Sequence, residues 1–245
     1  MSDIEQLIAL TDDKRHMVFI GGAGVSTESG IPDFRSASGL YANTQTVVPA
    51  ETILSGSYFH AYPERFYTFY RQHLLYPDAQ PNDAHLALAR LEAAGRLDAV
   101  VTQNVDGLHS AAGSKNVFEL HGSVHRNHCL DCGKFYPLKD MLAMDTLPRC
   151  PICGGIIKPD VTLFEEALPP GIYEAAEQAV ASADLLIIGG TSLAVYPAAY
   201  LVHAFHGREI VLINFDPTPA DEMATLVIRS SIGQVLRTLA DRLGC

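Results

Sequence analysis

Four short apolar runs, each halted by glycine or a polar side chain, constrain this chain more than any other feature. They are residues 17–20 (Met-Val-Phe-Ile) before Gly21-Gly22, 99–102 (Ala-Val-Val-Thr) before Gln103-Asn104, 185–188 (Leu-Leu-Ile-Ile) before Gly189-Gly190, and 210–214 (Ile-Val-Leu-Ile-Asn). Runs this short, rich in β-branched residues and without polar alternation, read as strands buried on both faces. Helix-like stretches lie between them. Residues 84–94 space Leu86, Leu88, Leu91 and Ala94 for a buried face, and 172–181 space alanines in the same way. Strand and helix in alternation predict an α/β protein with a parallel, doubly wound, Rossmann-like sheet.

Two stretches break the alternation. Residues 36–76 concentrate aromatics, with Tyr58, Phe59, Tyr62, Phe66, Tyr67, Phe69 and Tyr70 at partly helical spacing, which predicts a helical module packing its rings into a local core. Residues 125–158 carry paired cysteines among turn residues, a composition suited to a small module held by metal. The expected organisation is a single unit over 1–245. Its larger part comprises about 1–35, 77–124 and 159–245, and a smaller inserted domain is made of the helical module and a zinc ribbon.

Composition narrows the classes of partner. With 28 acidic against 17 basic side chains, the net charge is −11, and nucleic-acid binding through phosphate contacts is disfavoured. At 245 residues and 48% hydrophobic content the chain can build a sizeable core. No run reaches the roughly 20 apolar residues of a membrane span. The first residues are acidic and mixed rather than basic then apolar, so the expected compartment is the cytoplasm.

The cysteines stand as Cys129-Leu-Asp-Cys132 and Cys150-Pro-Ile-Cys153, a C-x2-C-x17-C-x2-C spacing. Two thiolates on each of two tight turns can close a tetrahedral shell around one zinc ion, leaving no position for water, so the metal is read as structural. Gly133, Gly154 and Gly155 suit such turns, and His125 and His128 lie near enough to serve as substitute ligands. Cys245, the fifth, is read as a bystander thiol.

After the first strand comes Gly22-Ala23-Gly24-Val25-Ser26-Thr27-Glu28-Ser29-Gly30. Such a turn lets backbone N–H groups approach a pyrophosphate. It departs from G-x-G-x-x-G, and no acid stands about 20 positions on to hold a ribose, which disfavours an ordinary dehydrogenase. Asp33-Phe34-Arg35 follows on an irregular loop, which a local Asp33–Arg35 pair could also explain. Gln103, Asn104 and Asp106 stand at the end of the second strand, His121-Gly122 comes soon after, and Gly190-Thr191-Ser192 and Asn214 end the later strands. Polar clusters at strand ends mark where doubly wound sheets bind ligands.

Occurring together and in this order, these segments resemble the sirtuin family of NAD-dependent protein deacylases over nearly the whole chain. The resemblance implies an NAD-dependent protein-lysine deacetylase, with NAD as co-substrate, one structural zinc, and acetyl-lysine proteins or peptides as partners bound as an extended strand. In that chemistry the acyl oxygen of a modified lysine attacks the nicotinamide ribose, nicotinamide leaves, and a histidine acts as general base in passing the acyl group to a ribose hydroxyl. By position His121 would be the base, with Asn104 beside it. Asp106, Val105 and Phe34 would line the nicotinamide pocket, and Gln103 and Asn104 would meet the ribose. Gly22, Ala23, Gly24, Thr27, Asp33, Arg35, Gly190, Thr191 and Ser192 would surround the phosphates and adjoining ribose. Asn214 would meet the adenosine ribose, and the backbone at Ser231 and Ile232 the adenine. Val105, Thr162, Leu163, Phe164, Glu165, Val195 and Tyr196 would hold the substrate strand.

Two departures stand out: Thr162 where the acyl-lysine tunnel is usually apolar, and Glu165 where the family usually has glycine. Members that take succinyl or malonyl groups carry a Tyr-x-x-Arg pair; here Tyr67-Thr-Phe-Tyr70 stands in its place, with Arg71 one residue late, which favours acetyl. A mono-ADP-ribosyltransferase on the same scaffold and a non-catalytic NAD-sensing module are the alternatives; the retained His121 speaks against the first, and the intact polar cluster and the net charge of −11 against the second. Oligomeric state is not legible.

Overall fold

The computed structural model describes residues 2–12, 16–37, 39–43 and 47–245. Residues 38 and 44–46 of the aromatic insert and residues 1 and 13–15 of the acidic N-terminal stretch lie outside the described residues. In chain order the elements are α1 (Asp3–Thr11), β1 (Met17–Gly21), α2 (Leu40–Asn43), α3 (Ala50–Ile53), α4 (Gly56–Ala61), α5 (Pro63–His73), α6 (Asp83–Ala93), β2 (Leu97–Thr102), α7 (Leu108–Ala112) and β3 (Val117–Glu119). Then follow β4 (Gly122–Cys129), β5 (Phe135–Pro137), α8 (Leu138–Leu142), β6 (Ile157–Val161), α9 (Ile172–Ser182), β7 (Leu185–Gly189), β8 (Glu209–Ile213), β9 (Leu226–Ile228) and α10 (Ile232–Arg242).

The four apolar runs form the four inner strands of a six-stranded sheet in the order β3-β2-β1-β7-β8-β9, and every pair in it is parallel. Period-two alternation sends Met17 and Phe19 to one face, against Leu7 of α1, Leu88 and Leu91 of α6 and Leu236 of α10. Val18 and Ile20 face the other way, toward Ala176 and Val180 of α9 and the 3₁₀ segment Ala198–Ala204. This is the doubly wound architecture read from the sequence. The edge strands β3 and β9 have three residues each, too few to show periodicity; the sequence marks β3 only by the Glu119–Gly122 segment at its end and gives no sign of β9.

One helix face needs correction. In α6 the buried stripe is Ala84, Ala87, Leu88 and Leu91, joined by His85, while Leu86 is 45% exposed and Ala94 lies on the surface. At 100° per residue Leu86 stands about 200° from Ala84, on the opposite side of the helix.

A second sheet, β5-β4-β6, is antiparallel. Its inner face shares a core with the aromatic insert, where Phe59, Phe66, Tyr67 and Tyr70 meet Val124, Met141 and Val161. Two polar ties strengthen the junction. The Tyr67 hydroxyl donates to the Ile157 carbonyl, and the Arg71 guanidinium donates to the carbonyls of Met141, Leu142, Met144, Asp145 and Thr146, capping the C-terminal end of α8. No described helix is long and apolar enough to cross a membrane.

Candidate active site and metal centre

Strand order reverses between β1 and β7, the switch point beside which doubly wound sheets bind ligands in a crevice at their strand ends. The glycine-rich turn after β1 packs against the turn after β7: Gly24 N–H donates to the Gly190 carbonyl at 2.8 Å. A Cβ at Gly22 would lie 2.8 Å from Thr191 Cβ, and one at Gly24 2.8 Å from Gly190 Cα. Glycine is required at both, at Gly22 by the β-branched Thr191 side chain and at Gly24 by the Gly190 backbone. The crevice opens into a cleft of about 500 Å³ that runs on between the two sheets.

A hydrogen-bonded chain fixes one wall. Ser26 Oγ donates to Asp106 Oδ2 at 2.7 Å and accepts from Asn104 Nδ2 at 3.0 Å, while Asp106 Oδ1 takes the N–H of Leu108 at 2.9 Å. Gln103 Nε2 donates to Thr191 Oγ1 at 3.0 Å, linking the ends of β2 and β7. His121 Nδ1 lies 2.9 Å from the Gln103 carbonyl. A carbonyl only accepts, so Nδ1 holds the ring proton and Nε2 keeps its lone pair. Burial lowers the His121 pKa, against the opposing pull of the Gln103 hydrogen bond, so the ring is neutral at physiological pH.

Asp33 turns its carboxylate to the backbone, accepting from Arg35 N at 3.0 Å and Ser36 N at 2.8 Å. The ion partner of Arg35 is Glu51, at 3.5 Å, and its guanidinium lies over the Tyr41 ring. Burial, with the Glu51 charge beside it, pushes the Tyr41 hydroxyl up to about 12.

At the other wall, Thr162 N–H donates to the His121 carbonyl at 2.9 Å, and Phe164 pairs both main-chain groups with residues 54 and 56. Glu166 Oε2 accepts from Leu163 N at 2.9 Å and from Lys158 Nζ at 3.0 Å, so a half-buried ion pair braces this turn. Glu165 has φ 75°, and its carboxylate accepts from Ser57 N at 2.9 Å and Ser57 Oγ at 3.1 Å.

Most of the residues singled out in the sequence line this cleft, including His121, Asn104, Asp106, Asn214, Thr162, Glu165 and Tyr196. Three do not. Thr27 donates its hydroxyl back to the Gly24 carbonyl at 2.9 Å. Ser231 caps α10 and donates to Glu28 Oε1 at 2.9 Å, while Ile232 is buried in the core. Because the Glu28 carboxylate also takes Gly233 N–H at 3.1 Å, the start of α10 is drawn to the turn at 27–29 and away from the cleft. Ser26, His73, Tyr76, Glu166 and Asp216 line the cleft and were not singled out. The clue for Ser26 was its place in the glycine-rich turn, and for Glu166 its place at the end of the substrate-docking segment 161–166; the others stand in segments with no motif of their own.

Beyond the cleft, the four cysteine sulfurs lie within 4.8 Å of one another. The two turns are built alike: Gly133 N–H donates to Cys129 O at 2.9 Å and Gly154 N–H to Cys150 O at 2.8 Å. Both glycines have positive φ, at 69° and 79°. Four convergent thiols on paired knuckles fit a tetrahedral zinc ion. The nearby histidines are occupied elsewhere, His128 with Asp160 at 2.7 Å and His125 with the Asp106 carbonyl at 2.9 Å.

The model of the Sir2 family matches residues 22–197. An NAD-dependent protein deacetylase of Clostridium perfringens is 54% identical over 240 residues, covering 97% of this chain and 98% of that protein. One from Staphylococcus aureus is 41% identical, with 97% and 98% covered. Among solved structures, a Sir2–p53 peptide–NAD+ complex is similar at TM-score 0.87 and 37% identity, covering 100% of this chain and 99% of that one. A Sir2 variant with deacetylated p53 peptide and 3′-O-acetyl ADP-ribose reaches TM-score 0.90 at 36% identity, with 98% of each chain covered. Likeness that runs end to end in sequence and in fold is descent rather than convergence: the chain belongs to the Sir2 family.

Proposed function

We propose that this chain is an NAD-dependent protein-lysine deacetylase, converting an acetyl-lysine segment, NAD and one water to free lysine, nicotinamide and O-acetyl-ADP-ribose. The observation that carries the reading is the tautomer of His121. Its Nδ1 proton is held by the Gln103 carbonyl, so Nε2 is the basic atom on the ring, and the ring itself lines the cleft. The depressed pKa keeps it able to accept a proton at neutral pH.

When bound, NAD supplies the ribose carbon that accepts the acyl oxygen and the nicotinamide that leaves. The chain's residues do the rest. The glycine-rich turn offers backbone N–H groups to the phosphates. Asn214 spends its amide N–H on the Asp216 carbonyl at 3.0 Å, leaving its own carbonyl oxygen to accept from a ribose hydroxyl. Asp106, fixed by Ser26 and Leu108, accepts from the nicotinamide amide. Asn104, anchored on Ser26, orients the hydroxyl that His121 deprotonates. The segments at 162–165 and 193–197 clamp the substrate strand by main-chain bonds.

The acyl group is acetyl. Arg71 is committed to backbone carbonyls outside the cleft, and Tyr67 and Tyr70 are buried in the aromatic core, so no cation or hydroxyl of this set meets a second carboxylate. The four cysteines hold one structural zinc. The inserts at 36–76 and 125–158 form the smaller domain of one catalytic unit over 1–245, and the cytoplasm, where thiols stay reduced, is its compartment.

Mass spectrometry of an acetyl-lysine peptide incubated with NAD tests the reading. Loss of the acetyl mass matched by O-acetyl-ADP-ribose, absent with His121→Ala, is expected. ADP-ribose added to the peptide would point to mono-ADP-ribosyl transfer, and no release of nicotinamide would leave only a binding module.

A further inference from the structure

Glu165 is out of place for its residue type. At φ 75° it occupies the left-handed region, where any residue with a Cβ is strained and glycine is not. Strain of this kind persists where the surrounding structure holds it and often marks a functional position. Here two hydrogen bonds from Ser57 hold the carboxylate at an exposed point on the cleft wall and favour its ionised form. Each carboxylate oxygen accepts one of these bonds and has a lone pair left for another donor.

From the other sheet, the segment after β7 brings Tyr196 to the same cleft. Its ring is 64% exposed and lies 4.7 Å from that of Tyr200, itself 56% exposed. Large rings left open to water beside a groove are unusual unless something covers them. The charge of the cleft points the same way. Asp33, Asp106, Glu165, Glu166 and Asp216 line it; Glu166 is paired with Lys158, and the guanidinium of Arg35, which also lines the cleft, is paired with Glu51.

We propose that Glu165 and the Tyr196–Tyr200 pair form a subsite for a cationic side chain, so that favoured substrates carry Lys or Arg beside the acetyl-lysine. The carboxylate attracts the cation, and the ring faces attract it through their quadrupoles. The proposal rests on the deacetylase reading and adds to it the class of protein segment on which the enzyme acts. Its rival is purely mechanical, with Glu165 serving only to latch the loop to Ser57.

Matched acetyl-lysine peptides flanked by Arg, Ala or Glu separate the two. For the native protein, kcat/KM for the Arg peptide should exceed that for the Glu peptide by about tenfold at low salt, the size expected of one exposed ion pair plus a cation–π contact. The ratio should shrink as salt screens it. Glu165→Gln keeps an oxygen that can accept from Ser57 and loses only the charge, so the ratio should fall to about threefold; Tyr200→Leu should lower it independently. A ratio near one in the native protein, or one untouched by Glu165→Gln, would overturn the subsite. Fluorescence anisotropy of the same labelled peptides reads binding without turnover. Charge preference in Kd with no deacetylation would keep the subsite and remove the deacetylase reading, whereas deacetylation of every peptide without preference would do the reverse.

Discussion

Ser26 holds more of the cleft together than its size suggests. Fully buried, it is the shared partner of Asp106 and Asn104, so Ser26→Ala leaves a carboxylate oxygen and an amide N–H without it. The expected cost is about 1–3 kcal/mol of stability, read by thermal denaturation, together with a raised KM for NAD. His121 makes a prediction in pH. Its pKa is lowered by burial, so the neutral base persists below the ordinary value of 6.5, and the acid limb of kcat/KM should fall below pH 6.5; a limb at or above that value would contradict the assignment. Strand-end motifs made His121, Asp106 and Thr191 legible, since glycine and polar residues after an apolar run announce themselves locally. Ser26 could be seen only as part of a turn, because its two partners lie 80 and 78 residues away in sequence. Arg229 was invisible for the same reason: it organises the 214–221 loop by donating to the carbonyls of Asn214 and Asp216 and pairing with Asp221.

Among the elements, α5 and α8 depend on one side chain. Arg71 satisfies five carbonyls at and beyond the end of α8, so Arg71→Met should cost about 3 kcal/mol in urea denaturation while leaving the KM for NAD nearly unchanged. No motif could announce this contact, because its acceptors are backbone atoms indifferent to sequence. The cysteine knuckles are the opposite case: spacing and glycine placement specified both turns in advance. Their surroundings were not legible, and Tyr136 is the instance that matters, with its hydroxyl 3.0 Å from Cys150 Sγ. A donor there stabilises a metal-bound thiolate. Tyr136→Phe should therefore surrender zinc to a chelator faster than the native protein, at equal fold content when zinc is in excess. The misread face of α6 has a plain cause. Leucines were weighted over alanines, whereas the stripe that meets α10 and β2 is half alanine.

At the scale of the whole molecule, acid is the condition that should test it hardest. His85 and His109 lie within the core with ring centroids 4.7 Å apart and planes tilted by 59°. Among the described residues, His85 Nε2 and both ring nitrogens of His109 have no hydrogen-bond partner. Desolvation lowers the pKa of His85 to about 4 and of His109 to about 3. Unfolding frees both rings to protonate at their ordinary 6.5, so the unfolded state binds more protons below that pH. The contribution of these two rings should be flat above pH 6.5 and should lower stability as pH drops toward 4 and then 3, by up to about 1.4 kcal/mol per pH unit for each ring. His109→Leu should be neutral or stabilising at pH 7 and should flatten the acid slope, as read by denaturation across that range. The strand order carries one more consequence, for the chain as it is made. β1 pairs with β2 on one side and with β7 on the other, Met17 opposite Leu185. On the ribosome its second edge stays open until three quarters of the protein has emerged, whereas the antiparallel sheet draws only on residues 122–161 and can close early. The central strand of the finished enzyme is thus the longest-exposed edge of the nascent one, and a chain released before β7 would present it to its neighbours as a template for aggregation.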